Sequence, residues 1–244
     1  HQYMITYKEF EVLRGIIKGY GNCAEVAQSV YDNTHYRVFK DAEEVNELYL
    51  SLINKGYVNK DGVTPEGYSE IAPLKVKNAI ILAAGGADIT AKSVYSMPKG
   101  LFVKDGETLI ERQIRQLREA CIQEITVVVG YKQEMYYFLM DKYGVHMEIN
   151  TDLKKNNVYS LYCAKDYLGS TYICNCDNYF PENPFSQYEY NSYHATVIKE
   201  DATNELLIRK NENGRILEVT SGAPSGECIY GHAYVDAKFS ERLV

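Results

Sequence analysis

The stretch NAIILAAGG, residues 78–86, decides the fold of the larger part of the chain. Its apolar run predicts a strand buried on both faces, as in a parallel sheet that is covered by helices. Gly85 and Gly86 follow this strand, and because they lack a Cβ their backbone can approach a phosphate or a base closely. The chain then leads through a loop to Pro98-Lys99-Gly100. A glycine loop that ends at a lysine is typical of sites that hold a nucleoside triphosphate.

Strands and helices alternate after this stretch, which is the pattern of an α/β domain. Buried strands are predicted at 124–130, 145–150 and 171–177, and helices at about 109–121, around 135–139 and at about 158–168. Beyond Asp177 the sequence becomes loop-rich and β-like. We therefore expect residues 76–244 to form one α/β domain with a mixed, mainly parallel sheet.

Residues 1–75 follow a different pattern, made of helices and one hairpin. A capping box at residues 6–9 begins the first helix, Asp41 is a candidate N-cap, and Thr64-Pro65 begins the last helix. Asp61-Gly62 is a turn between two short strands. Three helices followed by a hairpin is the order of a winged helix-turn-helix domain, which we expect for this segment.

The charge of the chain argues against nucleic acid as a partner. The net charge is −7, from 26 Lys and Arg against 33 Asp and Glu. The helix in the recognition position carries four carboxylates that would repel DNA phosphates, at Asp41, Glu43, Glu44 and Glu47. A structural or dimerising role for residues 1–75, and with it a homodimer, is therefore expected ahead of DNA binding.

The sequence contains no apolar run as long as a membrane span and nothing that resembles a signal peptide, so we expect a cytoplasmic protein without a membrane partner. Its six cysteines lack the spacing of a zinc site. Cys174 and Cys176 lie two residues apart in an apolar run and would share one face of a strand. Reduced cysteines packed in the core are favoured over a metal or redox pair.

Residues that can carry chemistry follow the predicted strands at their carboxyl ends, where open parallel sheets bind ligands. They are the loop after Ala84, and Tyr131, Asn157 and Asp177. Asp177 ends an uncharged strand and is a candidate ligand of Mg²⁺ beside phosphate oxygens. Taken alone, Lys99 would be a solvated surface charge and Asp177 an Asx turn or a helix cap. Their joint placement at one edge of the sheet favours the functional interpretation.

Motifs along residues 77–244 resemble those of the phosphocholine cytidylyltransferases, small members of the sugar-phosphate nucleotidyltransferase superfamily. The matching stretches are AIILAAG, PKG, TLIERQIRQL, ITVVVGY, KYGV, NNVYSLY, YICNCDNYF and GHAYVDAKFS. The resemblance implies a Rossmann-like nucleotidyltransferase domain. The segment in front of it resembles a bacterial subgroup in which a small winged-helix domain precedes this one.

The resemblance also implies a reaction, in which a cytidylyl group passes from CTP to phosphocholine or a similar small phosphorylated alcohol or amine and pyrophosphate is released. Lys99 would neutralise the reacting phosphates, and Asp177 would bind Mg²⁺. The residues that would line the nucleotide pocket are Ala84, Gly85, Gly86, Tyr131, Asn157 and Ser160.

The phosphate loop departs from the family pattern in a way that bears on catalysis. Ile89 occupies the position of an arginine that would grip the triphosphate with two hydrogen bonds. Asp88 adds a negative charge beside it, which either repels the ligand or recruits a further metal ion. Lys92, three residues on, is a candidate substitute for the missing guanidinium. Impaired or altered chemistry is therefore expected ahead of full compensation.

Two further departures concern the acceptor and the metal. The chain contains no Trp, and Leu206 stands where the family has a tryptophan against the choline cation, so tyrosines such as Tyr190, Tyr193 or Tyr230 would have to replace it. The second metal aspartate of the family lies beyond Asp236 on a segment absent from this sequence. If Val244 is the natural end, the metal site lacks a carboxylate, whereas this departure disappears if the sequence is truncated.

Three functions are compatible with these observations. A CTP-dependent, Mg²⁺-dependent cytidylyltransferase is favoured by the motifs. A catalytically impaired nucleotide-binding or sensor protein with a winged-helix interaction domain is favoured by Asp88 and Ile89. A transcription regulator rests on the winged-helix pattern alone and is the weakest of the three.

Overall fold

The computed structural model describes residues 5–19, 26–34, 38–85, 97–152, 157–199, 207–210, 216–220 and 226–243. Side chains are described in these ranges except at 193–199, 207–210, 216–220 and 226–231. Contacts divide the chain into two compact units, residues 1–75 and 76–244.

In the described part of the first unit, three helices precede a short hairpin and one helix follows it. In chain order its elements are α1 (Tyr7–Ile17), α2 (Val26–Asn33), α3 (Ala42–Asn54), β1 (Val58–Asn59), β2 (Gly62–Val63) and α4 (Pro65–Ile71). The two strands pair antiparallel. This order of helices and hairpin agrees with the order predicted from the sequence.

Side-chain caps begin the helices of this unit where the sequence predicts them. At α1 the backbone N–H of Glu9 donates to Thr6 Oγ1 (3.2 Å), and the N–H of Thr6 donates to Glu9 Oε1 (3.1 Å). This is the reciprocal capping box. Asp41 and Thr64 cap α3 and α4 by accepting a backbone N–H three residues later in the chain. The helix starts are therefore fixed by local chemistry.

Glu9 also makes a longer-range contact inside the first unit. Its Oε2 accepts a hydrogen bond from Lys55 Nζ at 2.7 Å, just beyond the end of α3. Burial by itself raises the pKa of this carboxyl, but the bonds from Lys55 and Thr6 outweigh burial and hold the pKa below its ordinary value of 4.5. Glu9 is therefore a charged residue that ties the start of α1 to the end of α3.

The second unit contains the remaining strands and helices. In chain order they are β3 (Asn78–Ala83), β4 (Val103–Lys104), β5 (Glu107–Thr108), α5 (Leu109–Glu119), β6 (Glu124–Val129), α6 (Phe138–Tyr143), β7 (His146–Ile149), α7 (Asn157–Cys163), β8 (Thr171–Asn175), β9 (Tyr193–Lys199), β10 (Leu207–Lys210), β11 (Ile216–Thr220), β12 (Gly226–Val235) and α8 (Ala237–Ser240). The helix predicted to reach residue 168 ends at Cys163, and a separate 3₁₀ turn covers Lys165–Tyr167. The break lies at Ala164, whose backbone leaves the helical conformation.

One mixed sheet organises this unit. Its strand order is β11-β10-β12-β8-β3-β6-β7, and β9 also pairs with β12. Strand β3 is parallel to both of its neighbours, β6 and β8, and β7 is parallel to β6. Strand β12 runs antiparallel to β8, β9 and β10. The predicted α/β fold with a mixed sheet and a parallel central part is confirmed.

Successive residues of β3 face two different layers of the core. Ile81 lies in a cluster with Ile110 and Ile114 of α5, whereas Ile80 lies in a cluster with Leu161 of α7 and Phe239 of α8. All six residues of β3 are buried. Because helices cover both faces, the strand reads as an unbroken apolar run in the sequence.

The cysteines of the second unit agree only in part with the sequence prediction. Cys174 and Cys176 are buried in the same core cluster, as expected for residues on one face of a strand. Cys121 is exposed, because it follows the end of α5 in a turn with φ 64°. Within the described residues, no helix has both the length and the apolar character needed to cross a membrane.

We expect Glu9→Gln to lower the free energy of unfolding of the first unit by about 1 kcal/mol at pH 7, the usual cost of a lost capping interaction. The folded-state pKa of Glu9 is depressed, so its contribution is complete above 4.5 and is lost as the pH falls through the folded value. Urea unfolding followed by circular dichroism at pH 7 and pH 3 measures both effects. Glu47→Gln, on the exposed side of α3, is the control. An equal loss at both pH values would contradict the assignment.

Candidate active site

Three parallel strands end at the same edge of the sheet. Ala83 at the end of β3 is paired with Val129 at the end of β6, and Leu82 is paired with Asn175 at the end of β8. The segments that follow these strands therefore begin side by side. This is the edge at which open α/β sheets bind ligands.

Three of the predicted pocket residues are linked through Gly130 and through Asn150, of which Asn150 was not found from the sequence. The carbonyl of Ala84 accepts a hydrogen bond from the Tyr131 N–H at 3.4 Å. A Cβ at Gly130 would lie 3.1 Å from Ala84 Cβ and 3.1 Å from the Asn150 carbonyl oxygen, so the absence of a side chain at Gly130 lets these segments pack closely without a shift of the neighbours. Asn150 Nδ2 in turn donates to Ser160 Oγ at 3.0 Å. Ala84, Tyr131 and Ser160 thus belong to one wall of the edge.

The other described pocket residues adjoin this wall. Gly85 is exposed directly after Ala84. Asn157 is half-buried at the first position of α7, three residues before Ser160. The predicted nucleotide-binding residues that the structure describes therefore come from the ends of β3 and β6 and from the first turn of α7.

The segment around Lys99 meets the end of β8 at a separate point of the same edge. The N–H of Cys176 donates to the Leu82 carbonyl at 3.1 Å, which continues the β8–β3 pairing by one residue. A Cβ built on Gly100 would lie 3.1 Å from Cys176 Sγ, so the two backbones approach closely. Lys99 precedes Gly100 and Asp177 follows Cys176, so both predicted charged residues adjoin this contact.

Both charged side chains are available to a ligand. Lys99 is exposed in a 3₁₀ turn, and within the described part of the chain it takes part in no ion pair. Asp177 is exposed in the turn after β8. Burial raises the pKa of the neighbouring Cys176 thiol to about 12, and the negative charge of Asp177 adds to the effect. The carboxylate of Asp177 is therefore close enough to the Cys176 thiol to affect its pKa.

Several residues considered from the sequence lie outside the described structure. In the loop these are Gly86, Asp88, Ile89 and Lys92. Leu206 and the side chains of Tyr193 and Tyr230, considered for the acceptor site, are also outside it. Among the described residues, no three His, Cys, Asp or Glu side chains lie close enough together to hold a metal ion. Within the described ranges, Asp177 is therefore a candidate metal ligand without a second and third metal-binding side chain close to it.

Gln113 holds the Asp177 turn in place and was not found from the sequence. This residue of α5 is fully buried, and its Nε2 donates to the carbonyls of Asn175 (2.7 Å) and Asn178 (3.1 Å). These two carbonyls lie on either side of Asp177. The sequence does place Gln113 on the apolar face of α5, together with Ile110, Ile114 and Leu117. A polar side chain on a buried face needs a buried hydrogen-bond partner, and this could have pointed to its role.

The next part of the same loop is held by arginine. Nε and Nη2 of Arg112 donate to the Phe180 carbonyl at 3.2 and 3.1 Å, and the guanidinium lies 4.6 Å from the centre of the Tyr179 ring. Gln116 Nε2 donates to the same carbonyl at 3.0 Å. Helix α5 therefore fixes the backbone from residue 175 to residue 180.

An α/β sheet with Gly85, Lys99 and Asp177 near the carboxyl ends of its central parallel strands is compatible with a nucleotide-binding transferase. The sequence profile of the MobA-like NTP transferase domain matches residues 79–213 of this chain, which is more than half of it. The chain belongs to this family of NTP transferases, within its phosphocholine cytidylyltransferase-like members.

Individual relatives support the same placement. Choline-phosphate cytidylyltransferase of Streptococcus pneumoniae is 34% identical over 167 residues, which are 68% of this chain and 73% of that protein. 2-Aminoethylphosphonate cytidylyltransferase of Lancefieldella rimae is 32% identical over 171 residues, which are 68% and 70% of the two chains. A solved structure of CTP:phosphocholine cytidylyltransferase from Streptococcus pneumoniae superposes with a TM-score of 0.56 at 34% identity, covering 69% of this chain and 74% of that one. The resemblance of residues 77–244 to the phosphocholine cytidylyltransferases is confirmed.

Gln113→Leu is expected to lower the free energy of unfolding by about 1–3 kcal/mol, since it removes the buried donor of the Asn178 carbonyl. Urea unfolding of the full chain measures the loss. Gln123→Leu is the matched control, because it makes the same chemical change at an exposed position after α5. If the two variants lost the same stability, the two hydrogen bonds of Gln113 would not be what holds the turn.

Proposed function

We propose that this protein transfers a cytidylyl group from CTP to phosphocholine or a similar small phosphorylated alcohol or amine and releases pyrophosphate. The observation that carries the proposal is the 34% identity, over 167 residues, to a choline-phosphate cytidylyltransferase. A second relative acts on 2-aminoethylphosphonate, by its name. Choline phosphate and 2-aminoethylphosphonate both join an anionic phosphorus group to a cationic nitrogen by a short chain. An acceptor of this kind is therefore the one we propose.

The proposed reaction is a single displacement at phosphorus. An oxygen of the acceptor phosphate attacks the α-phosphorus of CTP, and a new oxygen–phosphorus bond forms. The bond from the α-phosphorus to the oxygen shared with the β-phosphate breaks, and pyrophosphate leaves with the electron pair. Catalysis of such a step depends on positioning and on neutralising charge. Lys99, an exposed cation with no described ion-pair partner, is proposed to bind the phosphates that separate.

Asp177 is proposed to hold Mg²⁺ at the same edge. Mg²⁺ is usually held by one or two carboxylates, with substrate phosphates and water filling the other positions. Asp177 is an exposed carboxylate at this edge, and among the described residues no three His, Cys, Asp or Glu side chains could hold a metal ion by themselves, which supports an arrangement of this kind. Bound there, the ion would neutralise negative charge on the phosphates. Asp88 is proposed as a further ligand on sequence grounds alone.

The wall formed by Ala84, Tyr131 and Ser160 is proposed to bind the nucleotide. Ala84 and the glycines after it offer backbone groups. The ring of Tyr131 is half-buried and lies at the end of β6. Ser160 is 2% exposed and accepts a hydrogen bond from Asn150, so we assign it to support of the wall rather than to direct contact.

The first unit is proposed to be a winged helix-turn-helix domain that serves protein contacts. Its order of helices and hairpin supports the fold. The acidic residues that begin α3, Asp41, Glu43 and Glu44, support a dimerising role over DNA binding, because they would repel phosphates. A homodimer and a cytoplasmic location remain predictions from the sequence.

The main alternative is a protein that binds the nucleotide without turning it over. The observation in its favour is Ile89, which stands in place of an arginine beside Asp88. A loop with one cation fewer would bind a triphosphate more weakly and would stabilise transferring charge less. Binding of CTP without formation of pyrophosphate distinguishes this function from the proposed one.

Lys99→Ala and Asp177→Asn are each expected to reduce turnover by about 100-fold or more, because each removes a group aimed at phosphate charge. The assay is release of pyrophosphate from CTP and Mg²⁺ with phosphocholine or 2-aminoethylphosphonate as acceptor. Lys238→Ala, at an exposed position of α8, is the control for loss of a lysine. A wild-type rate in Lys99→Ala would remove Lys99 from the site. No pyrophosphate from wild-type protein with either acceptor would overturn the proposed function.

Ile89→Arg is expected to tighten the binding of CTP about tenfold, which corresponds to roughly 1.4 kcal/mol. Isothermal calorimetry with CTP and Mg²⁺ measures the change. Ile89→Gln adds a polar side chain without charge and is the matched control. Equal affinities for wild type and Ile89→Arg would show that residue 89 does not face the triphosphate.

A further inference from the structure

Gly100, Tyr136 and Cys176 meet in a buried contact, here called the 100/136/176 junction. Gly100 belongs to the 3₁₀ turn Lys99–Leu101, Tyr136 to a turn after β6, and Cys176 to the residue after β8. Tyr136 is 1% exposed and Cys176 is 9% exposed. Segments that follow three different strands are therefore in contact beneath the exposed edge.

The packing at this junction leaves no room for a side chain at residue 100. A Cβ on Gly100 would lie 2.8 Å from the phenol oxygen of Tyr136 and 3.1 Å from both Cβ and Sγ of Cys176. Contacts below 3.0 Å force a shift of the neighbour or of the backbone. The phenol oxygen of Tyr136 and the side chain of Cys176 thus occupy the space in which a Cβ of residue 100 would lie.

The groups at the junction are uncharged, so their contribution is not proton transfer. Burial raises the pKa of the Tyr136 phenol far above its ordinary value, and the nearby Cys176 and Asp177 raise it further. Burial likewise raises the pKa of the Cys176 thiol, to about 12. Both groups keep their protons at neutral pH. The junction therefore contributes by fixing the position of Gly100 relative to Cys176.

Different contacts hold the two charged residues, Asp177 and Lys99, beside the junction. The backbone N–H of Cys176 donates a hydrogen bond to the Leu82 carbonyl of β3, and the Gln113 side chain donates to the carbonyls on either side of Asp177. Asp177 is therefore tied to the sheet and to α5.

Lys99 belongs to a 3₁₀ turn in which the Leu101 N–H donates to the Pro98 carbonyl (2.9 Å) and the Phe102 N–H donates to the Lys99 carbonyl (3.2 Å). Leu101 of this turn is buried in the core cluster with Ile110 and Ile114. A shift of Gly100 moves this turn, and Lys99 moves with it.

We propose that the hydroxyl of Tyr136 is a positioning residue for cytidylyl transfer, which holds Gly100 against Cys176 and so sets the separation of Lys99 from Asp177. The inference rests on the proposed function, because that function gives Lys99 and Asp177 their roles. Misplacement of a reacting group by about 1 Å can cost a factor of about 100 in rate.

Tyr136→Phe tests the inference, since it removes that oxygen and leaves the ring. We expect kcat to fall about tenfold while KM for CTP changes less than twofold and the unfolding midpoint is nearly unchanged. Tyr137→Phe is the matched control, because Tyr137 is the next residue and its hydroxyl is exposed and bonded to Gln133. This control is expected to keep the wild-type rate.

A second pair of variants separates positioning from general damage to the fold. Gly100→Ala is expected to lower kcat about 100-fold, because its Cβ displaces the turn. The double variant Gly100→Ala/Tyr136→Phe is expected to be several-fold faster than Gly100→Ala, since the oxygen that the Cβ would meet at 2.8 Å is gone. If each substitution only destabilised the fold, their losses in kcat would add, and the double variant would then be the slowest of the three.

The outcomes distinguish this inference from the proposed function. If Lys99→Ala is inactive and Tyr136→Phe turns over at the wild-type rate, the inference is wrong and the proposed function stands. If the double variant is slower than both single variants, positioning by the hydroxyl is also excluded. If the wild-type protein itself forms no pyrophosphate, the proposed function fails and the inference fails with it.

Discussion

The parallel pairing of β3 with β6 and β8 is the constraint on which the rest of the second unit depends. Because all three strands run in one direction, each following segment starts at the same edge. No short-range contact brings Ala84, Gly130 and Cys176 together, since they are far apart in the sequence. The register of the central strands alone makes them neighbours. The pocket wall and the 100/136/176 junction are consequences of that register.

The elements predicted most accurately are those that local chemistry specifies. The apolar run of β3, the caps of α1, α3 and α4, and the alternation of strands and helices were all read from the sequence. The end of α7 was placed too late, because the apolar spacing continues past Ala164 although the backbone does not. Periodicity shows which face of a helix is buried, but it shows the end of the helix poorly when no glycine or proline is present.

The candidate site was only partly accessible to sequence reasoning, for a different reason. Ala84, Lys99 and Asp177 stand next to recognisable motifs, so their positions at the strand ends were predicted. Gln113 and Tyr136 act on backbone atoms more than thirty-five residues away in sequence. A single sequence does not show such partners. The sequence does show Gln113 on the apolar face of a helix, and a buried glutamine indicates that buried carbonyl groups lie nearby.

The raised pKa of Cys176 has a consequence for the chemical handling of the protein. Only the thiolate reacts readily with alkylating agents and oxidants, and a thiol with a pKa of about 12 is almost wholly protonated at neutral pH. Burial of Cys174 raises its pKa as well. A maleimide dye would therefore attach faster at the exposed Cys121 than at either of the two core thiols, which leaves the cysteine beside Asp177 unmodified.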